Sequence, residues 1–200
     1  MRSFIVTILV SLSGLAVGGA SALFMSGLWP GAPREGQSQI DVEGWKADFA
    51  IGTVQTDPWS RTRIARHGLL ALSQSEAVYF ARTTDDAGAR LTEACRYRVS
   101  GEDQDALWWS VTLYDGQSRL PMNTDKALSF DRTRARPGAR WTLLVQPEAP
   151  EEGEWISSRS AGLFDLTLRL YRPSEAVLRQ PEAFVRPPRI ERLDCVGATP

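Results

Sequence analysis

The chain has 200 residues, 42% hydrophobic and 9% aromatic, which is ordinary globular composition and excludes a disordered or low-complexity chain. Lys and Arg number 23 against 24 Asp and Glu, so the clustered basic excess of a nucleic-acid-binding protein is missing. One histidine and two cysteines far apart in sequence do not make a zinc site.

The first element is an uncharged apolar stretch over residues 4–29, opening at Phe4 and closing on Trp29, with Arg2 just before it. As a helix it would run roughly 39 Å, enough to span a hydrocarbon core with some tilt. Trp29 stands where an interfacial aromatic belongs, and Pro30-Gly31-Ala32-Pro33 is expected to end the helix. Arg2 and the α-amino group lie on the near side, while Arg34 is offset by Glu35 on the far side. The positive-inside bias then puts the N-terminus in the cytoplasm and the remaining chain in the periplasm, on a single-pass inner-membrane anchor over residues 1–30. The alternative is a signal peptide cleaved after Ala20-Ser21-Ala22, although Leu23-Phe24-Met25 carries the apolar run past that site. Both readings export the domain. Gly14, Gly18 and Ala22 add a small-residue face of the kind that lets two helices approach.

Residues 31–55 are polar with Gly, Pro and Ser, and read as a linker. Thr56-Asp57-Pro58 then reads as a helix start, because Thr56 or Asp57 can cap and proline suits the first turn. The following residues 60–71 carry Ile64, Leu69 and Leu70 among Arg61, Arg63 and Arg66, predicting one short amphipathic helix that closes at Gly68.

Beyond it the chain alternates with period two. Leu107, Trp109, Val111 and Leu113 share one face, with Trp108, Ser110, Thr112 and Tyr114 on the other. Phe164, Leu166, Leu168 and Leu170 repeat the pattern against Asp165, Thr167, Arg169 and Tyr171. Cys95-Tyr97-Val99 and Trp141-Leu143-Val145 are further examples. Such half-buried strands belong to antiparallel sheets with one wet face. Asp85-Asp86-Ala87-Gly88, Ser100-Gly101, Asp115-Gly116 and Arg136-Pro137-Gly138 are the turns between them. The fold class expected is mainly β: an antiparallel β-sandwich of jelly-roll type over residues 56–196 with one short helix, preceded by a single transmembrane helix. In an oxidising compartment Cys95 and Cys195 are expected to form a disulfide that pins the C-terminus to the domain.

No nucleophile elbow, P-loop, dinucleotide fingerprint or zincin helix occurs. His67 closes an Arg-rich helical segment and lacks a partner nucleophile, so it reads as a helix-terminal cation. The acidic residues Glu102, Asp103 and Asp105, and Glu148, Glu151, Glu152 and Glu154, fall in apparent loops and read as solvation. Arg132, Arg134, Arg136 and Arg140 read as a wet sheet edge. No catalytic residue, metal or cofactor is therefore expected. Aromatic residues on the polar faces are the better candidates for a binding surface. Trp108, Tyr114, Asn123 and Trp155 are the residues expected to touch a ligand. The expected partners are the membrane and an unidentified small ligand or envelope protein. The alternative is an envelope hydrolase acting on carbohydrate or lipid through carboxylates such as Asp115 and Asp165.

Several runs together resemble a bacterial family, the domain of unknown function 1214. They are Pro58-Trp59-Ser60-Arg61-Thr62, Glu76-Ala77-Val78-Tyr79-Phe80, Cys95-Arg96-Tyr97, Trp108-Trp109-Ser110, Leu168-Arg169-Leu170-Tyr171-x-Pro173 and Pro188-x-Ile190. The resemblance implies a jelly-roll-type β-sandwich, often exported or membrane-anchored, with no established reaction. The loop around Trp155 departs from the family pattern: it reads Glu154-Trp155-Ile156-Ser157-Ser158-Arg159 where the family typically has Asn-Trp-Leu-Pro-Ala-Pro.

Overall fold

The computed structural model describes residues 2–29, 40–49, 58–59, 61–62, 72–136 and 138–196. The chain divides into two units, Met1–Gln37 with Ala50–Ala71 and Ser38–Phe49 with Leu72–Pro200. In the first, α1 (Arg2–Met25) is long and apolar enough to cross a membrane, with a mean hydropathy of 2.0 and no part of its apolar window buried. It stops before the expected prolines. The amide of Gly27, at φ 74, donates to the carbonyl of Phe24, and that of Leu28 reaches back to Leu23. This is a Schellman closure, which needs the left-handed residue that glycine supplies at least cost. Of the helix expected to start at Thr56-Asp57-Pro58 and run on through residues 60–71, Pro58, Trp59, Arg61 and Thr62 are helical; His67 and the rest lie outside the described residues.

The second unit is built from two sheets. One has six strands in the order β1 (Ile40–Val42), β2 (Trp45–Ala47), β3 (Ala77–Arg82), β9 (Phe164–Pro173), β5 (Ala106–Asp115) and β6 (Ser129–Asp131). The other has four, in the order β10 (Arg189–Cys195), β4 (Cys95–Gly101), β7 (Trp141–Gln146) and β8 (Trp155–Ser157). Three short helices, α2 (Arg132–Ala135), α3 (Glu175–Arg179) and α4 (Pro181–Phe184), sit in the connections.

The alternation places the core. Trp109, Val111 and Leu113 of β5 and Phe164, Leu166, Leu168 and Leu170 of β9 are buried, and so are Tyr97, Val99, Leu143 and Val145 of the facing sheet. Trp109 stacks on Trp141 of the opposite sheet at 5.2 Å, and Phe130 lies 5.3 Å from the same indole. Both indole N–H groups are satisfied: Trp109 donates to Asp103 at 2.7 Å and Trp141 to the Glu102 carbonyl at 3.2 Å. Leu107 breaks the pattern at 59% exposure, at the one position of β5 that has no partner in the register with β9.

Two expectations need correction. Residues 31–55 are not a linker throughout, since β1 and β2 form a hairpin that joins the six-stranded sheet through Lys46 opposite Ala81. Trp45 drives this: it is fully buried and donates to the Pro188 carbonyl at 3.0 Å. The sandwich is also not wholly antiparallel, because β8 returns parallel to β7 after the loop of residues 147–154. The expected disulfide is formed, between Cys95 and Cys195.

Candidate functional site

The ten-residue strands β5 and β9 pair at nine positions, with Trp108 opposite Tyr171, Ser110 opposite Arg169, Thr112 opposite Thr167 and Tyr114 opposite Asp165. Strand β3 flanks β9 with Tyr79 opposite Arg169. All of these side chains leave the sheet on the face away from the core, because their neighbours along each strand are the core residues. Three of the chain's four tyrosines therefore stand on one face, in the company of Trp108. They are half-buried, while Ser110 and Thr112 form a low, buried floor between them.

The face has distinct ends. At one, Trp108 and Tyr171 meet with ring centroids 5.3 Å apart, and the Trp108 N–H donates to the Thr133 hydroxyl at 3.2 Å. In the middle, the Arg169 guanidinium lies over two rings, 5.3 Å from the centre of Tyr114 and 5.9 Å from that of Tyr79. Such contacts hold a cation by the electron-rich ring face. Its Nε is buried with no hydrogen-bond partner. Burial, with Tyr171 adding, pushes the Tyr79 hydroxyl above its ordinary range, against the pull of Arg169.

At the far end stands Asp165. Burial pushes its carboxyl up to about 6, although the Thr167 hydroxyl donates to it at 2.9 Å and the charge of Arg90 favours ionisation. The Asp115 carboxylate adds to the upward shift. Asp115 itself is engaged in its turn, one oxygen accepting the amides of Gln117 and Arg119 at 2.8 and 2.9 Å.

The four residues expected to touch a ligand separate into two pairs. Trp108 and Tyr114 share the outer face of the six-stranded sheet, at its opposite ends. Asn123 and Trp155 lie at the β8 edge of the other sheet. There Asn123 is taken up structurally, its amide donating to the Arg159 carbonyl at 2.8 Å and to the Ser157 hydroxyl at 3.4 Å. Ser157 and Arg159 both bind Asp125, at 2.6 and 3.0 Å, which completes a strapped loop. Trp155 is half-buried beside fully buried Ile156 on the edge strand. Tyr79, Arg169 and Tyr171 join Trp108 and Tyr114 on the face, and the sequence does not single them out as ligand contacts. Alternation does set Arg169 and Tyr171 on the wet side of their strand, but only the pairing of β9 with both β3 and β5 brings them beside Trp108 and Tyr114.

The charged loops are largely self-paired. Arg132 binds Asp103, Arg134 binds Glu154, Arg186 binds Glu102, and Ser174 donates to Asp105 at 2.5 Å. Among the described residues no group of three or more His, Cys, Asp or Glu is arranged to hold a metal ion.

Comparison with known proteins gives the fold a lineage. The crystal structure of the VPA0106 protein from Vibrio parahaemolyticus matches with a TM-score of 0.54 and 17% identity, covering 70% of this chain and 36% of that one. An uncharacterised protein from Burkholderia cenocepacia matches with a TM-score of 0.41 and 16% identity, over 59% of this chain and 30% of its own. This chain thus spans about a third of the length of either. The likeness to the Vibrio protein is one of fold. No curated protein matches the sequence. The sequence model of the family described as "Protein of unknown function (DUF1214)" matches residues 76–175, which run from the edge of β3 to the start of α3 and make up half the chain. The chain belongs to that family.

Proposed function

We propose that this is a single-pass envelope protein whose periplasmic β-sandwich domain is a non-catalytic binding module, with the outer face of the six-stranded sheet as its binding surface. The anchoring half of the reading is supported by the length and apolarity of α1 and by the charge bias around it. The binding half is carried by one observation: an aromatic-rich sheet face, turned away from the core, holds an arginine on rings instead of on a carboxylate. A face with a purely structural role gains little from three half-exposed tyrosines and a tryptophan, whereas rigid amphipathic rings suit a ligand surface. The test is native mass spectrometry of the full-length chain extracted from its own host's envelope. A retained small mass that disappears in Trp108→Ala and Tyr171→Ala supports the reading. A bare chain, or a mass unaffected by both substitutions, defeats it.

A second reading is favoured by Asp165, whose carboxyl is pushed up to about 6 beside Asp115. A carboxyl titrating there suits general acid–base work in an envelope hydrolase. It requires that Asp165→Asn abolish a hydrolytic activity on envelope carbohydrate or lipid while leaving the protein folded. Unchanged turnover would remove it.

A further inference from the structure

We infer that the ligand of this face is a small carboxylic acid with an apolar ring, its carboxylate on Arg169 and its ring against Trp108 and Tyr171. The inference rests on the binding reading above and goes on to name the ligand chemistry.

The first ground is the company Arg169 keeps. Arg82, Arg96, Arg98, Arg132, Arg134, Arg159, Arg179, Arg186 and Arg192 each pair with a carboxylate. Among the described residues Arg169 enters no such pair; neither do Arg90, Arg119, Arg136, Arg140, Arg172 and Arg189, but those are exposed, whereas Arg169 is half-buried, its Nε has no partner, and its contacts are the rings of Tyr79 and Tyr114. A guanidinium fixed between rings keeps its forked N–H edge in place without using it. That is the preorganised state from which a planar anion can be bound at low entropic cost.

The second ground is the valence of the anion. The cross-strand neighbours of Arg169 are Ser110 and Tyr79, and the next rows hold Thr112 with Thr167 and Trp108 with Tyr171. None is basic. One arginine matches a carboxylate, whereas a phosphate dianion calls for further cations.

The third ground is direction. Beyond Thr167 the face ends in Asp165, and an anionic ligand is repelled from that side once this carboxyl ionises. In the other direction lie Trp108 and Tyr171, one strand period from the Arg169 row, which is about 7 Å. The apolar body of the ligand therefore extends toward the Trp108–Tyr171 pair, with Ser110 as the floor beneath it.

The test compares 4-phenylbutyrate with the uncharged 4-phenylbutyramide on the full-length chain in zwitterionic-lipid nanodiscs, by titration calorimetry and ligand-induced shift in melting temperature. The acid is expected to bind at least tenfold more tightly than the amide. Arg169→Gln should bring the acid down to the level of the amide, and Arg169→Lys should recover part of the difference. Trp108→Ala should weaken both ligands alike. Equal binding of acid and amide by the unmodified chain overturns the inference without recourse to any variant. So does undiminished acid binding by a folded Arg169→Gln chain, and so does failure of the acid to bind. Should the envelope-extracted protein retain an uncharged molecule lost on Trp108→Ala, the binding reading stands and the carboxylate inference falls.

Discussion

Cys95 and Cys195 stand directly opposite each other at the ends of the antiparallel strands β4 and β10, so the disulfide ties two strands that the backbone ladder already joins. The ladder slips near its end, between Arg192 and Asp194, and the Cys195 pair lies beyond that slip. Just past it the Val196 amide donates to the Ala94 carbonyl at 2.7 Å. The covalent link thus holds the part of β10 where hydrogen bonding is least regular. With the cysteines 100 positions apart in sequence, the chain-entropy model gives a contribution of ~4–5 kcal/mol. Cys95→Ser with Cys195→Ser is expected to lower the melting temperature by several degrees or more. Amide exchange should show the end of β10 opening before β5 and β9. An unchanged melting temperature under reductant would contradict this.

Alternation made the central strands legible. It assigned the face of each residue in β5 and β9, and in β9 every second residue also reports its environment; in β5 Ser110 and Thr112 stand on the outer face as expected but are buried there. The β1–β2 hairpin escaped because each arm has three residues, too few for a period to register. Its turn, Glu43-Gly44, has positive φ at both positions, 53 and 84, in a tight hairpin that the Asp41 carboxylate supports by accepting the Gly44 amide. Glutamate is not a residue that advertises such a turn. The site was half-legible for another reason. The face of each residue follows from its own strand, but which strands lie side by side depends on long-range pairing that no local pattern encodes. The spacing of Asn123 likewise cannot reveal that its amide donates to Ser157 and Arg159.

Gly101 makes a sharper structural test. A Cβ built there would lie 2.5 and 2.9 Å from two atoms of the Trp141 indole, which is itself stacked on Trp109 and packed against Phe130. A ring packed against two others in a closed cluster, with Trp109 and Phe130 themselves 6.1 Å apart, cannot swing aside cheaply. Gly101→Ala is therefore expected to cost about 1–3 kcal/mol, the usual range for overpacking. Equilibrium denaturation measures it, and the tryptophan emission should shift as the stack is disturbed. A neutral result would mean that the aromatic cluster has room to relax.

Asn123 is held in the fold by three side-chain hydrogen bonds. Its amide straps the loop that carries Ser157 and Arg159, and its own carbonyl oxygen accepts the Asp125 amide at 3.1 Å. Asn123→Ala should lower stability by about 1–2 kcal/mol, in keeping with the loss of hydrogen bonds at a partly buried site. Retention of any molecule bound through Trp108 should not change. Loss of that molecule without loss of stability would instead return Asn123 to the binding surface.

Asp165 gives the chain a predicted pH signature. Burial lifts its folded-state pKa to about 6, above the ordinary 3.8, so the folded protein keeps this proton to higher pH than the unfolded chain does. Its stabilising contribution is fully present below the ordinary carboxylate range and declines as pH rises through about 6. The span corresponds to roughly 2–3 kcal/mol at most, at about 1.4 kcal/mol per pH unit. Asp165→Asn removes the titration and still accepts from the Thr167 hydroxyl. The variant should therefore be more stable than the unmodified chain above pH 6, and its denaturation midpoint should vary less between pH 4 and pH 6. A matched pair of denaturant titrations at pH 4.5 and 7.5 decides this. The same variant separates the two functional readings: a binding face gains stability and keeps its ligand, whereas a hydrolase gains stability and loses turnover. If the variant is less stable at pH 7.5, the ionised carboxylate is being held by the charge of Arg90, and the pH signature should reverse.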